Sequence, residues 1–145
     1  MHHFQRVVGY IEELAKRLFD PSTTGSFSFD LGYAIPLYFT ATRCRDPLLR
    51  RRAVHLMKTY PRQEGICQSV MAAAVASAWI EVEERGLEYV QCASNIPEDQ
   101  RIRFIDTKID VEQKSALVKV ATLDCGEPVE VLAHWSEGED SKMLR

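Results

Sequence analysis

The stretch FSFDLGYAIPLYFTATRCRDPLLRRRAVHLMKTYPRQEG, from Phe27 to Gly65, decides how the chain folds. It sets an aromatic lead-in, an apolar segment, a basic segment and a turn one after another without slack. Asp46-Pro47 reads as a helix start: the aspartate can accept orphan amide hydrogen bonds, and proline is tolerated in the first turn because its missing N–H has no acceptor there. That helix is expected from Pro47 to about Tyr60, where Pro61 stops it and Gly65 opens a turn. Before it, residues 31 to 41 are nearly all apolar or aromatic around Pro36, which predicts a buried helix bent or restarted at the proline.

Working outward, Phe4, Val7, Val8, Ile11, Leu14, Ala15 and Leu18 recur at three- and four-residue spacing opposite charged residues, predicting an amphipathic helix over about 3 to 19. Asp20 to Ser26 is a loop by composition and the most mobile segment expected. On the other side, Ile66 to about Arg85 predicts the longest helix, rich in alanine and closed by Gly86. The texture then changes. Arg101 to Ile109 alternates with a phase change near Ile105, which predicts a bulged strand. Ala116 to Leu123 and Val129 to Trp135 supply two more strands, and residues 136–145 read as a disordered tail. The fold class is α+β: one compact domain over 1–135, helical over about 3–86, followed by a small antiparallel three-stranded sheet over about 101–135.

Composition narrows the function classes. The chain has 145 residues, 46% of them hydrophobic, enough for one core and too few for two domains. The net charge of −3 conceals an uneven distribution, since seven basic residues face only Asp46 between positions 43 and 62. Charged residues interrupt the N-terminal segment and no apolar run is long enough to span a bilayer, so the expectation is an intracellular protein, nuclear or cytoplasmic, with no membrane contact. Cys44, Cys67, Cys92 and Cys125 are too scattered for a zinc or redox motif, and buried or half-buried free thiols are expected. No metal and no cofactor is expected.

Sequence motifs for nucleophile elbows, phosphate loops, zinc helices and EF-hands are absent. An acid-base site without a linear motif would draw on His55 or His134 with Asp30 or Asp46, although Asp46 is better explained as a cap. A ligand cavity would be lined by Tyr33, Tyr38, Phe39, Trp79 and Trp135. Arg43, Arg45, Arg50, Arg51 and Arg52 are candidates for anion binding. Three consecutive helical residues point about 100° apart, however, which favours a solvated face paired with Glu81, Glu83 and Glu84 over one phosphate site. Direct nucleic-acid binding is not expected, because no aromatic platform or groove-reading motif accompanies the arginines.

The Phe27-Ser28-Phe29-Asp30 lead-in, the Cys44-Arg45-Asp46-Pro47 start with its Arg50-Arg51-Arg52-Ala53 continuation, and the Pro61-Arg62-Gln63-Glu64-Gly65 turn together resemble the C-terminal regulatory region of fungal zinc-cluster transcription factors. The similarity covers about residues 3 to 123. It implies a non-enzymatic regulatory or interaction module acting in transcription, with effector sensing or protein contact in the nucleus. The six-cysteine cluster that holds two zinc ions and contacts DNA in that family has no counterpart among these residues. Helices separated from their family neighbours would expose apolar surface, so a homodimer or partner protein is expected, through the helix bearing Phe4, Val7, Ile11 and Leu18. A small-molecule effector is possible within that reading. The rival class is a small cofactor-free isomerase or cyclase, or a ligand-binding protein, of fungal secondary metabolism.

Overall fold

The computed structural model describes residues 2–18, 27–28, 32–122 and 127–136. The expected loop at 20–26, Asp30 and most of the C-terminal tail lie outside the described residues. The architecture is α+β. Helix α1 (His2–Leu18) follows its periodicity within a residue at each end, and its apolar stripe buries Val8, Ile11 and Ala15. Phe4 and Val7 pack at the rim of the same core, against α2 (Ala34–Arg43) and α3 (Pro47–Thr59). Of the face expected to dimerise, Ile11 is buried and Phe4 and Val7 are partly buried within the chain, while the Leu18 side chain lies outside the described residues. The reason is simple: α2 and α3 already supply the apolar partner that an amphipathic helix needs.

Pro36 does not bend a helix. It is the third residue of α2, where its missing N–H would have had no intrahelical acceptor. The helix start depends on a group distant in sequence. The Glu64 carboxylate accepts from the Tyr33 amide at 2.9 Å and the Ala34 amide at 3.1 Å, while Tyr33 itself offers no side-chain cap. Gly32 permits this approach, since a Cβ there would lie 2.1 Å from Glu64 Oε1. Helix α3 is capped as its sequence predicts, with Asp46 Oδ1 accepting from Leu48 at 2.9 Å and Leu49 at 3.1 Å.

Glu64 is held in place by a small sheet that the sequence reading did not anticipate. Strand β1 (Phe27–Ser28) runs parallel to β2 (Gln63–Glu64), which turns antiparallel into β3 (Cys67–Gln68). Gly65 takes a φ of 58° at the turn, a conformation that suits glycine. Because β3 uses Cys67 and Gln68, helix α4 spans Ser69–Glu83 and starts three residues later than expected. Ile66 is left at the turn, 99% exposed.

Helix α4 lies between two cores. Ala72, Ala73, Ala76 and Ile80 face the helices, while Ala74, Val75, Ala78 and Trp79 face the second sheet. Its small side chains let neighbours approach on both sides, and a helix buried on both sides has little amphipathic signature. Gly86, with φ of 79°, follows its end. The second sheet is the expected antiparallel meander of β4 (Ile102–Asp110), β5 (Ser115–Thr122) and β6 (Val129–His134). Ala116, Val118, Val120, Ala133 and Trp135 turn toward α4, while Glu130, Leu132 and His134 face out. The irregularity in β4 falls between Ile102 and Phe104, slightly before the expected Ile105.

Candidate functional site

The densest polar arrangement is buried where the helices meet the second sheet. Arg50 projects inward from α3 with 0% exposure, beside Ala53 and Met57 on the same helix face. Its Nε donates to the Ala41 carbonyl at 2.7 Å, and its Nη1 lies 2.7 Å from Glu83 Oε2. Arg101 Nη1 reaches the same oxygen at 3.4 Å, and Glu83 Oε1 accepts from the Ile102 amide at 3.0 Å. Burial pulls the Arg50 pKa below its ordinary value, against the opposing pull of the Glu83 charge. One carboxylate thus links α3, α4 and the start of β4, with Arg50 also reaching the end of α2. The arrangement is a brace between layers.

The other arginines proposed for anion binding are occupied separately. Arg51 pairs with Glu84 and donates to the Val90 carbonyl at 3.2 Å, while Arg52 pairs with Glu12 on α1. Arg45 and Arg103 each lie 2.8 Å from Glu98. Arg43 sits over the Trp79 ring, 5.2 Å from its centroid. The five do not converge on one point, and the expected solvated face holds for Arg51 and Arg52 but not for Arg50. Of the three expected acidic partners, Glu83 and Glu84 are used, and no ion pair to Glu81 occurs among the described residues.

The five aromatic candidates are likewise separated. Tyr33 belongs to the helical core, its hydroxyl donating to the Tyr60 carbonyl at 2.6 Å and its ring beneath Arg62. Trp79 and Trp135 belong to the sheet core, and Tyr38 packs against both cores. Phe39 is 56% exposed and meets Tyr38 edge-on. Burial raises the pKa of Tyr33 and of Tyr38. Two concavities lie elsewhere. One, about 230 Å³, runs between α3 and α4 along Arg51, Val54, Ser77, Ile80 and Glu81. The other, about 390 Å³, lies between α1 and the start of α3, along Gln5, Asp46, Leu48, Leu49 and Arg52. None of the five aromatic residues lines either one.

The described acid-base candidates, His55, His134 and Asp46, do not meet. His55 is exposed on α3 with Nε2 3.3 Å from Thr59 Oγ1, one turn away. His134 is exposed on the outward face of β6, and Asp46 is committed to its cap. Among the described residues no cluster of three or more His, Cys, Asp or Glu could hold a metal ion, and no helix is long and apolar enough to cross a membrane. Cys44 is buried and Cys67 half-buried, but Cys92 is exposed, contrary to expectation, and a hydrogen bond with Ser94 lowers its pKa. Cys125 lies outside the described residues.

Sequence reasoning named Glu83 as a partner of the arginine run but placed the pair on a solvated face, and it missed Gly32 and Arg101 altogether. Glu64 was visible only as part of a turn. Comparison with known proteins adds no relative: no family profile, no characterised protein and no solved structure matches the chain.

Proposed function

We propose that the chain is a non-enzymatic regulatory or interaction module, of the kind that the C-terminal region of fungal zinc-cluster transcription factors provides. The observation that carries this reading is the division of the aromatic residues between two packed cores, with the strongest polar groups committed to caps and braces. A module of this kind acts through its surface, on a partner protein or on a second copy, in the nucleus. Fusing the chain to an unrelated DNA-binding domain and measuring a reporter tests it. The expected result is output that differs several-fold from the DNA-binding domain alone; equal output overturns the proposal.

The α3–α4 groove favours a second reading. Val54 and Ile80 line it together with Arg51, Ser77 and Glu81, a mixed lining suited to a small effector with both apolar and polar parts. In this reading the chain binds a ligand, or acts as a cofactor-free isomerase or cyclase, through that groove and not through the aromatic residues. Binding that survives Phe39→Ala but is lost in Val54→Trp would support it.

A further inference from the structure

Among the described residues the order β4-β5-β6 leaves β4 an edge, paired on one side by β5. At nine residues it is the longest described strand. An edge of that length offers a row of backbone donors and acceptors that another chain can complete, and proteins often guard such edges with lysine. Strand β4 instead carries charges of both signs. Asp106 and Lys108 flank Thr107, are exposed, and share the outward face, since their β5 partners are Lys119 and Leu117. Among the described residues neither takes part in an ion pair within the chain.

That order of charges is self-complementary in one register. Side chains alternate between faces, so a two-fold axis normal to the sheet must pass through a residue position and not between two positions. Centred on Asp106 or Lys108, it sets a like charge against itself. Centred on position 105, it leaves both charges without an opposite partner; centred on Ile109, it sets Lys108 against Asp110 of the other copy but also brings Asp106 against Glu112, beyond the end of the strand, so attraction and repulsion offset. Centred on Thr107, Asp106 of each copy meets Lys108 of the other, and no like charges face each other. The single sheet already carries a row of alternating sign, Glu130, Lys119 and Asp106, with Lys119 3.6 Å from Glu130. Lys108 of a second copy continues it. Ile109, 47% exposed on the face that packs toward α4, lies beside the junction.

We propose that β4 is a homotypic docking edge: two copies pair β4 with β4, antiparallel about Thr107, joining their sheets into one of six strands. This rests on the interaction-module reading and names a second copy as one of its partners. Sedimentation velocity with light scattering tests it, with circular dichroism as the control for folding. The wild-type chain is expected to dimerise at micromolar concentration. Lys108→Asp and Asp106→Lys should each weaken association about tenfold or more, because each turns two attractive cross-strand pairs repulsive. Mixing the two variants should restore it, as the acidic positions of one then meet the basic positions of the other. Where Asp106→Lys fails to fold beside Lys119, Lys108→Asp and the salt dependence of the wild-type dimer decide, the dimer weakening as salt rises. A monomer at 100 micromolar (~100 μM, well above a specific micromolar Kd) overturns the proposal. So does a dimer indifferent to Lys108→Asp and to salt, which would place self-association on another face and leave the interaction-module reading standing.

Discussion

Replacing Glu83 by glutamine removes one charge and almost no volume, yet it should be the most damaging polar substitution in the chain. In the folded protein the carboxylate faces Arg50 at 2.7 Å and Arg101 at 3.4 Å, and accepts from the Ile102 amide at 3.0 Å. Glu83→Gln leaves the fully buried Arg50 guanidinium without a counter-charge, and breaking a buried pair in this way costs about 3 to 5 kcal/mol. Arg50→Met should cost less, because Glu83 keeps Arg101 and the Ile102 amide as partners. The double variant should be no less stable than Glu83→Gln alone, since it removes the stranded charge as well. Urea unfolding followed by circular dichroism reads these differences: with a slope of about 2 kcal/mol per molar, a loss of ~4 kcal/mol moves the midpoint by about 2 M. A Glu83→Gln loss below about 1 kcal/mol, or strictly additive single and double variants, would refute the claim that this brace joins the layers.

Four further predictions follow from the same structure. Gly32→Ala should lower stability by about 1 to 3 kcal/mol, measured as a lower melting temperature, because its Cβ would fall 2.1 Å from Glu64 Oε1 and displace the carboxylate that caps α2. Asp46→Ala should cost about 1 kcal/mol in the same measurement through loss of the α3 cap. Raising pH should leave Tyr33 and Tyr38 protonated past the ordinary tyrosine range, because burial raises their pKa values. The stability these two provide is complete below pH 10, the ordinary tyrosine value, and is lost above it, so ultraviolet titration should show their ionisation coinciding with unfolding. Glu12, held below its ordinary pKa of 4.5 by hydrogen bonds from Lys16 and Arg52, stabilises the fold above that value and ceases to as pH falls through its folded pKa. Glu12→Gln should therefore be slightly less stable than wild type at pH 7, by under about 1 kcal/mol for so exposed a pair, with the gap closing in acid.

Local signals carried much of the fold. The stripe of α1, the Asp46-Pro47 start of α3 and the alternation along β5 and β6 are properties of neighbouring residues, and the structure follows them. What escaped depends on residues distant in sequence. The start of α2 is set by Glu64, about thirty positions later, and two-residue strands such as β1 to β3 are too short to show a period. Ile66 looked like the first turn of α4 because nothing local reveals that Cys67 and Gln68 pair with β2.

Within the candidate site, Arg50 illustrates the same limit. Its three-arginine run reads as surface, although position 50 shares a face with Ala53 and Met57, and that spacing already placed one arginine inward. The residue that makes such burial tolerable, Glu83, lies 33 positions away on another helix, beyond the reach of any periodicity. The aromatic residues misled in the opposite sense. Their shared composition suggested one cavity, but Tyr33 lies in the helical core, Trp79 and Trp135 lie in the sheet core, Tyr38 packs against both and Phe39 is exposed.

The central claim is that the chemically capable side chains hold the scaffold together while function resides on the surface. The most direct measurement is the output of the tethered reporter with a His55→Ala/His134→Ala double variant, alongside its melting temperature. Wild-type output from a fully folded variant is the expected result. Output abolished while folding is unchanged, and abolished equally by His55→Gln/His134→Gln, which keeps a polar surface of similar shape but cannot take up a proton, would show that those histidines perform chemistry, and would contradict the account.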